Sequence, residues 1–179
     1  MAFRIKSSAK EMKGIYILLS VMSFVFFVLS SSVIPFMSPV GKTSGDALFC
    51  FVCCIPAFVP RKSAVIYALI LGFLADLFIN APTSFSPVIY LVSVVVAFYF
   101  YGFFSRVGSL VIAVCALPCL VIKGVVDTFS LMAQFEDSTA SAVIGAKTFP
   151  SLVLNFAFAI VIAFILRTIT KKFRIFYAN

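Results

Sequence analysis

Four ionisable residues stand inside or at the edge of long apolar stretches of this chain. Asp46 opens one such stretch, Asp76 lies in another, and Lys123 and Asp127 both lie in a third. A charge at the centre of a bilayer costs about 3 kcal/mol on insertion scales, so each of these side chains needs a partner, an aqueous cavity or a position near an interface. Lys123 and Asp127 are four residues apart, which brings them to one helical face within reach of a salt bridge.

Paired carboxylates can act as general acid and base, but catalysis needs further groups around them. The chain contains no His, and no nucleophile or set of metal ligands accompanies its carboxylates. The cysteines all fall inside apolar stretches: Cys50, Cys53, Cys54, Cys115 and Cys119. The Cys50-x-x-Cys53 spacing occurs in redox and metal sites, but without His or a second pair in an aqueous loop we interpret these thiols as small packing residues. The sequence therefore predicts no catalytic residue, no metal and no cofactor, and a protein that is not an enzyme.

The elements that must position these residues are predicted from composition and apolar runs. Hydrophobic residues make up 63% of the chain and charged residues 11%, far from the balance of a soluble domain. Apolar segments lie at 15–34, 46–59, 63–80, 87–104, 108–131 and 148–168. This pattern predicts an all-α integral membrane protein, with one domain over residues 1–179 that forms a bundle of six transmembrane helices.

The first two segments differ from simple spanning helices. The first follows a basic start, as a signal peptide does, but its length of about 20 residues favours a retained helix; cleavage near Ser30, Ser31 and Ser32 is the alternative. The second segment, some 14 residues long, would extend about 21 Å, less than the roughly 30 Å of the hydrocarbon core. We expect it to be extended by neighbouring residues or shielded by other helices.

The basic residues predict the orientation. A net charge of +8 is also compatible with nucleic acid, but the basic residues flank the apolar segments, which favours anionic lipid headgroups as partners. With six spans, eleven basic residues share the side of the two termini: Arg4, Lys6, Lys10, Lys13, Arg61, Lys62, Arg106, Arg167, Lys171, Lys172 and Arg174. Only Lys42 and Lys147 fall on the opposite side. Both termini are therefore predicted to be cytoplasmic, with the loops 35–44, 81–86 and 133–147 outside.

This orientation predicts that the four ionisable residues share one depth in the outer half of the membrane. We expect a single polar cluster of Asp46, Asp76, Lys123 and Asp127, with a contact between Asp76 and Lys123 and with Asp127 competing for the same ammonium. Gly72, one turn before Asp76, would allow close helix packing. Three interpretations remain open: the charges pair to hold the bundle together, Asp46 and Asp127 reach the outer interface of the membrane, or the cluster lines a cavity or meets a helix of a partner.

The sequence around several of these residues resembles that of a known family. Val59-Pro60-Arg61-Lys62, followed by the stretch from Ala68 to Phe78 that contains Gly72 and Asp76, resembles the core of the rod-shape-determining protein MreD. Gly45-Asp46-Ala47-Leu48, Val125-Val126-Asp127 and the basic C-terminal tail agree with it. The chain departs from the family at Gly45, where Pro is common, and at Ala81-Pro82-Thr83-Ser84, where the family has a Gly-rich turn.

The resemblance implies a membrane subunit of the bacterial cell-elongation machinery in the cytoplasmic (inner) membrane. Such a subunit binds MreC and, through it, the MreB cytoskeleton, a RodA-type glycosyltransferase and a class B penicillin-binding protein. Its fold is similar to that of the substrate-binding subunits of energy-coupling-factor vitamin transporters. A subunit of such a small-molecule transporter is the alternative function, but those proteins commonly have an Ala-x-x-x-Ala pattern in the first span, and residues 15–34 contain no Ala.

Overall fold

The chain is helical throughout the part that the structure describes. A computed structural model describes residues 9–33, 45–78, 85–104, 108–134, 144 and 148–172, and no β-strand occurs within these ranges. Its helices are α1 (Ala9–Val28), α2 (Ala47–Cys54), α3 (Arg61–Phe78), α4 (Ser86–Tyr101), α5 (Ser109–Gln134) and α6 (Phe149–Lys172). A π-helical turn, Leu29–Val33, continues α1, and a 3-10 turn, Ile55–Ala57, continues α2. Each predicted apolar segment therefore coincides with one helix.

Within the described ranges, three helices are long and apolar enough to cross a membrane. They are Lys13–Ser31 in α1 with its π-helical turn, Ser109–Ser130 in α5 and Phe149–Thr170 in α6. Ala47–Ala57 and Ser86–Tyr101 are shorter apolar helical segments. The prediction of an all-helical chain is confirmed for the described residues. Most residues of the three loops that were predicted to face the outside of the cell are not among the described residues.

The short helix α2 occupies the centre of the bundle. Every residue from Ala47 to Val59 is buried, and α1, α3, α4, α5 and α6 all contact α2. The expectation that this segment is shielded by protein is therefore confirmed. A helix too short for the bilayer is tolerated in this position because its polar ends meet other helices and not lipid.

The surrounding helices pack as neighbours in chain order. α3 packs along α4, α4 along α5 and α5 along α6, whereas α1 packs mainly against α2. Small buried residues such as Ala64, Ala68 and Ala75 of α3 allow close approach of the backbones. Aromatic side chains of α1 contact its neighbours. The Phe26 ring lies 5.0 Å from the Phe51 ring of α2, and the Phe27 ring lies 5.7 Å from the Phe78 ring of α3, measured between centroids.

Candidate functional site

The N-terminus of α2 lies inside the bundle, where its free backbone N–H groups need partners. Asp46 is the N-cap residue, and its Oδ1 accepts a hydrogen bond from the Phe49 N–H at 2.9 Å. Ser30 Oγ accepts from the Leu48 N–H at 3.0 Å, and Asn155 Oδ1 accepts from the Asp46 N–H at 2.7 Å. Side chains from the π-helical turn, from α6 and from the N-cap itself thus satisfy this helix end together.

The second carboxylate oxygen of Asp46 faces α4 and α5. Lys123 Nζ lies 3.7 Å from Asp46 Oδ2 and 2.7 Å from Asp127 Oδ2, so one ammonium is shared by two carboxylates. The Tyr90 hydroxyl lies 3.5 Å from Asp46 Oδ2, and the Lys123 ammonium lies 5.6 Å from the centroid of the Phe49 ring. The Lys123 side chain is only 12% exposed, and the two carboxylates are each 21% exposed.

The electrostatics of this group depend on the helix as well as on the ammonium. Two carboxylates and one ammonium carry one excess negative charge, but the N-terminus of a helix contributes a partial positive charge of about one half. The carboxylate of Asp46 caps α2 and so lies at this partial positive charge, and Asp127 accepts a hydrogen bond from Lys123 at 2.7 Å. Asp127 Oδ1 is buried and has no hydrogen-bond partner among the described residues. The arrangement joins α2, α4, α5 and α6.

Asp76 does not join this group. Its Oδ1 accepts a hydrogen bond from the backbone N–H of Ser86, the first residue of α4, at 3.2 Å. The N-cap residue of α4, Phe85, supplies no capping side chain, so Asp76 caps α4 from the neighbouring helix. The predicted contact between Asp76 and Lys123 is wrong, because the ion pairs of Lys123 within the described residues are with Asp46 and Asp127. Equal depth along two helices does not fix the direction in which each side chain points.

Gly72 lies one turn before Asp76 on the same face of α3. A Cβ atom on Gly72 would stand 2.5 Å from Pro87 Cα and 2.8 Å from Pro87 N, far inside normal contact distance. Pro87 fits this position because the first turn of a helix needs no partner for its missing N–H. Gly72 and Asp76 together hold the start of α4, the former by leaving space and the latter by accepting a hydrogen bond.

Three polar residues at this end of the bundle were not predicted to belong to the polar cluster. Ser30 is 4% exposed, Tyr90 1% and Asn155 7%. The prediction considered only ionisable residues within the apolar segments, and these three are uncharged. Of the three, Asn155 could have been singled out from the sequence. An amide within an apolar segment needs a hydrogen-bond partner for the same reason that a charge does.

The cysteines are packed inside the bundle. All five are buried free thiols. Cys50 donates to the carbonyl oxygen of Asn155 and Cys119 to that of Ser93, each at 3.2 Å. Among the described residues no group of three or more His, Cys, Asp or Glu side chains is placed to hold a metal ion. These contacts agree with cysteine as a small packing residue that makes weak hydrogen bonds.

No family model, no curated protein and no solved structure matches the chain. Its function must therefore be inferred from its own residues and from their contacts.

Proposed function

We propose that this chain is a non-enzymatic membrane subunit of the bacterial cell-elongation machinery, of the MreD type, and that it binds an MreC-like protein. Through that partner it connects the MreB cytoskeleton to a RodA-type glycosyltransferase and a class B penicillin-binding protein. Its role is to hold these proteins together in the inner membrane during the synthesis of the cell wall.

The observation that carries the proposal is the position of the residues that resemble the family. Gly72 and Asp76 form the joint between α3 and α4. Asp46 and Asp127 are the two acids that share Lys123 at the buried end of α2. The short motifs of the resemblance are thus the residues around which the bundle is built, which supports a common architecture better than scattered matches on lipid-facing positions would.

The interior contacts support a binding role. Asp46 and Asp76 each cap a helix, and Lys123 is shared by two acids of the bundle. Side chains engaged in this way stabilise helix packing and are poorly placed to transfer protons to a substrate. A scaffold of this kind offers its outer surface to partner proteins.

We extend the proposal to six membrane segments with both termini in the cytoplasm. Arg61 at the start of α3 lies over the Phe98 ring of α4, and Arg167 near the end of α6 donates to Ser109 of α5 at 3.3 Å. The Tyr101 hydroxyl at the end of α4 donates to the Ile112 carbonyl oxygen near the start of α5 at 3.5 Å, so Arg61 and Arg167 lie at the same end of the bundle. Basic residues favour the cytoplasmic side. Reporter fusions should therefore read inside at Lys62 and outside at Asp137, and an inside signal at Asp137 would rule out this topology.

Depletion in the bacterium that encodes the protein tests the function. Depleted cells should become wider or round, and the protein should co-purify with the MreC-like protein from solubilised membranes. Uptake of labelled vitamins should be unchanged, which serves as the control for a transporter. Normal cell width combined with a loss of vitamin uptake would replace the proposal with the transporter alternative.

A further inference from the structure

We propose that the paired ends of α3 and α4 form a binding site for the phosphate headgroup of an anionic phospholipid. We call this site the basic foot, and it consists of Arg61, Lys62, Phe98, Tyr99 and Phe103. It lies far from the cluster around Lys123 and does not depend on the MreC-like partner.

The basic foot presents two cations that have no acidic partner among the residues that the structure describes. Arg61 and Lys62 are the first residues of α3, and both are exposed. Within the described part of the chain neither residue forms a salt bridge, since the ion pairs there all involve Lys123. The Arg61 guanidinium lies 5.7 Å from the centroid of the Phe98 ring, which orients it while leaving its N–H groups available.

Two further aromatic residues, Tyr99 and Phe103, lie at and just after the end of α4, close to Phe98 in the chain. Tyr99 and Phe103 are 67% and 68% exposed, and their rings pack edge to face with centroids 5.1 Å apart. Aromatic side chains concentrate at the level of the lipid headgroups, where one part of the ring meets hydrocarbon and its edge meets polar groups. The combination of exposed rings and unpaired cations is therefore suited to the boundary between lipid and water.

The direction of α3 indicates why a lipid fits better than a free phosphate ion. Asp76, near the other end of the same helix, lies about 22 Å away along the axis, so the basic foot marks one boundary of the bundle. Just beyond the two cations, Ile66 and Ile70 are 56% and 54% exposed. A phospholipid can place its phosphate on Arg61 and Lys62 and its acyl chains along these isoleucines, which a soluble phosphate cannot do.

Lipid binding to the purified full-length protein, measured by native mass spectrometry, tests the site. The probes are phosphatidylglycerol and phosphatidylcholine with identical acyl chains. Arg61→Gln with Lys62→Gln should weaken phosphatidylglycerol binding roughly tenfold and leave phosphatidylcholine binding unchanged. The matched control, Lys171→Gln with Lys172→Gln, removes the same charge at the end of α6 and should change binding less than about twofold. Phe98→Leu should weaken binding to a smaller degree, because it removes only the ring beneath Arg61.

Three outcomes would overturn the proposal. The first is an equal loss in the two double variants, which would indicate attraction by net charge alone. The second is unchanged phosphatidylglycerol binding in the Arg61 and Lys62 variant, and the third is displacement of the lipid by equimolar glycerol 3-phosphate, which would remove the role of the acyl chains. If the double variant unfolds early, Lys62→Gln alone leaves Arg61 on Phe98 and should still show part of the loss.

Discussion

The end of the bundle that contains Asp46 and the end that contains Arg61 use charge in opposite ways. At the first end every charged group described above has a partner: Asp46 and Asp127 share Lys123, and Asp76 accepts from the start of α4. At the second end Arg61 and Lys62 are exposed, and neither forms an ion pair within the described residues. The difference indicates that the paired end stabilises the fold and the basic end faces the surroundings. Substitutions at the two ends should therefore differ in what they change.

The largest effect is expected for Lys123→Leu. This change leaves two acids at the buried end of α2 without their shared cation, and breaking a buried ion pair costs about 3 to 5 kcal/mol. We expect a large fall in the unfolding temperature of the purified protein in detergent and in its abundance in membranes.

The control for this prediction removes the pair as a whole. Lys123→Leu with Asp127→Leu should be less harmful than Lys123→Leu alone, because Asp46 retains its hydrogen bond to the start of α2. If the double variant unfolded at the same temperature as the single one, the buried pairing would not be the source of the stability.

A smaller effect is expected for Gly72→Ala at the joint of α3 and α4. The new Cβ would stand 2.5 Å from the Pro87 backbone, and overpacking of this kind costs about 1 to 3 kcal/mol. Gly14→Ala in α1 is the matched control, since nothing lies within 4 Å of its Cβ position and alanine favours a helix. Gly72→Ala should lower the unfolding temperature in detergent and Gly14→Ala should leave it equal or higher; equal values for the two variants would contradict the close approach at Gly72.

Asp76 should contribute about as much as a helix cap. Asp76→Ala removes the acceptor of the Ser86 N–H and should cost about 1 kcal/mol, whereas Asp76→Asn keeps an oxygen in that place and should cost less. Unfolding in detergent at increasing temperature measures both. If Asp76→Asn were as unstable as Asp76→Ala, the charge of Asp76 and not its role as an acceptor would be important.

The smallest effect on stability is expected at the basic end. Arg61→Gln with Lys62→Gln changes exposed residues and should alter the free energy of unfolding by no more than about 0.5 kcal/mol. Comparison with Lys123→Leu in the same detergent measures the contrast between the two ends directly. A loss of stability comparable to that of Lys123→Leu would show that the basic end also holds the fold together.

Particular residues show how far the candidate site can be predicted from the sequence. The pair of Lys123 and Asp127 follows from helical spacing, and a close approach at Gly72 follows from the absence of a side chain next to an intramembrane acid. The partner of Asp76 cannot be predicted from helical spacing. Whether Asp76 meets Lys123 of α5 or Ser86 of α4 depends on which helix lies beside α3. Ser30 contacts Leu48 through the π-helical turn, and no local pattern in the sequence indicates that turn.

The sequence by itself determined where the helices lie along the chain, that they are strongly apolar and that basic residues flank them. These properties depend on composition and on spacing along one helix, and both can be read from a single chain. Only the tertiary structure decided that α2 is central, that Asp46 shares Lys123 with Asp127 and that Asp76 caps α4. Those contacts depend on how each helix is rotated about its axis and on which helix is its neighbour, and both are fixed only when all the helices pack together.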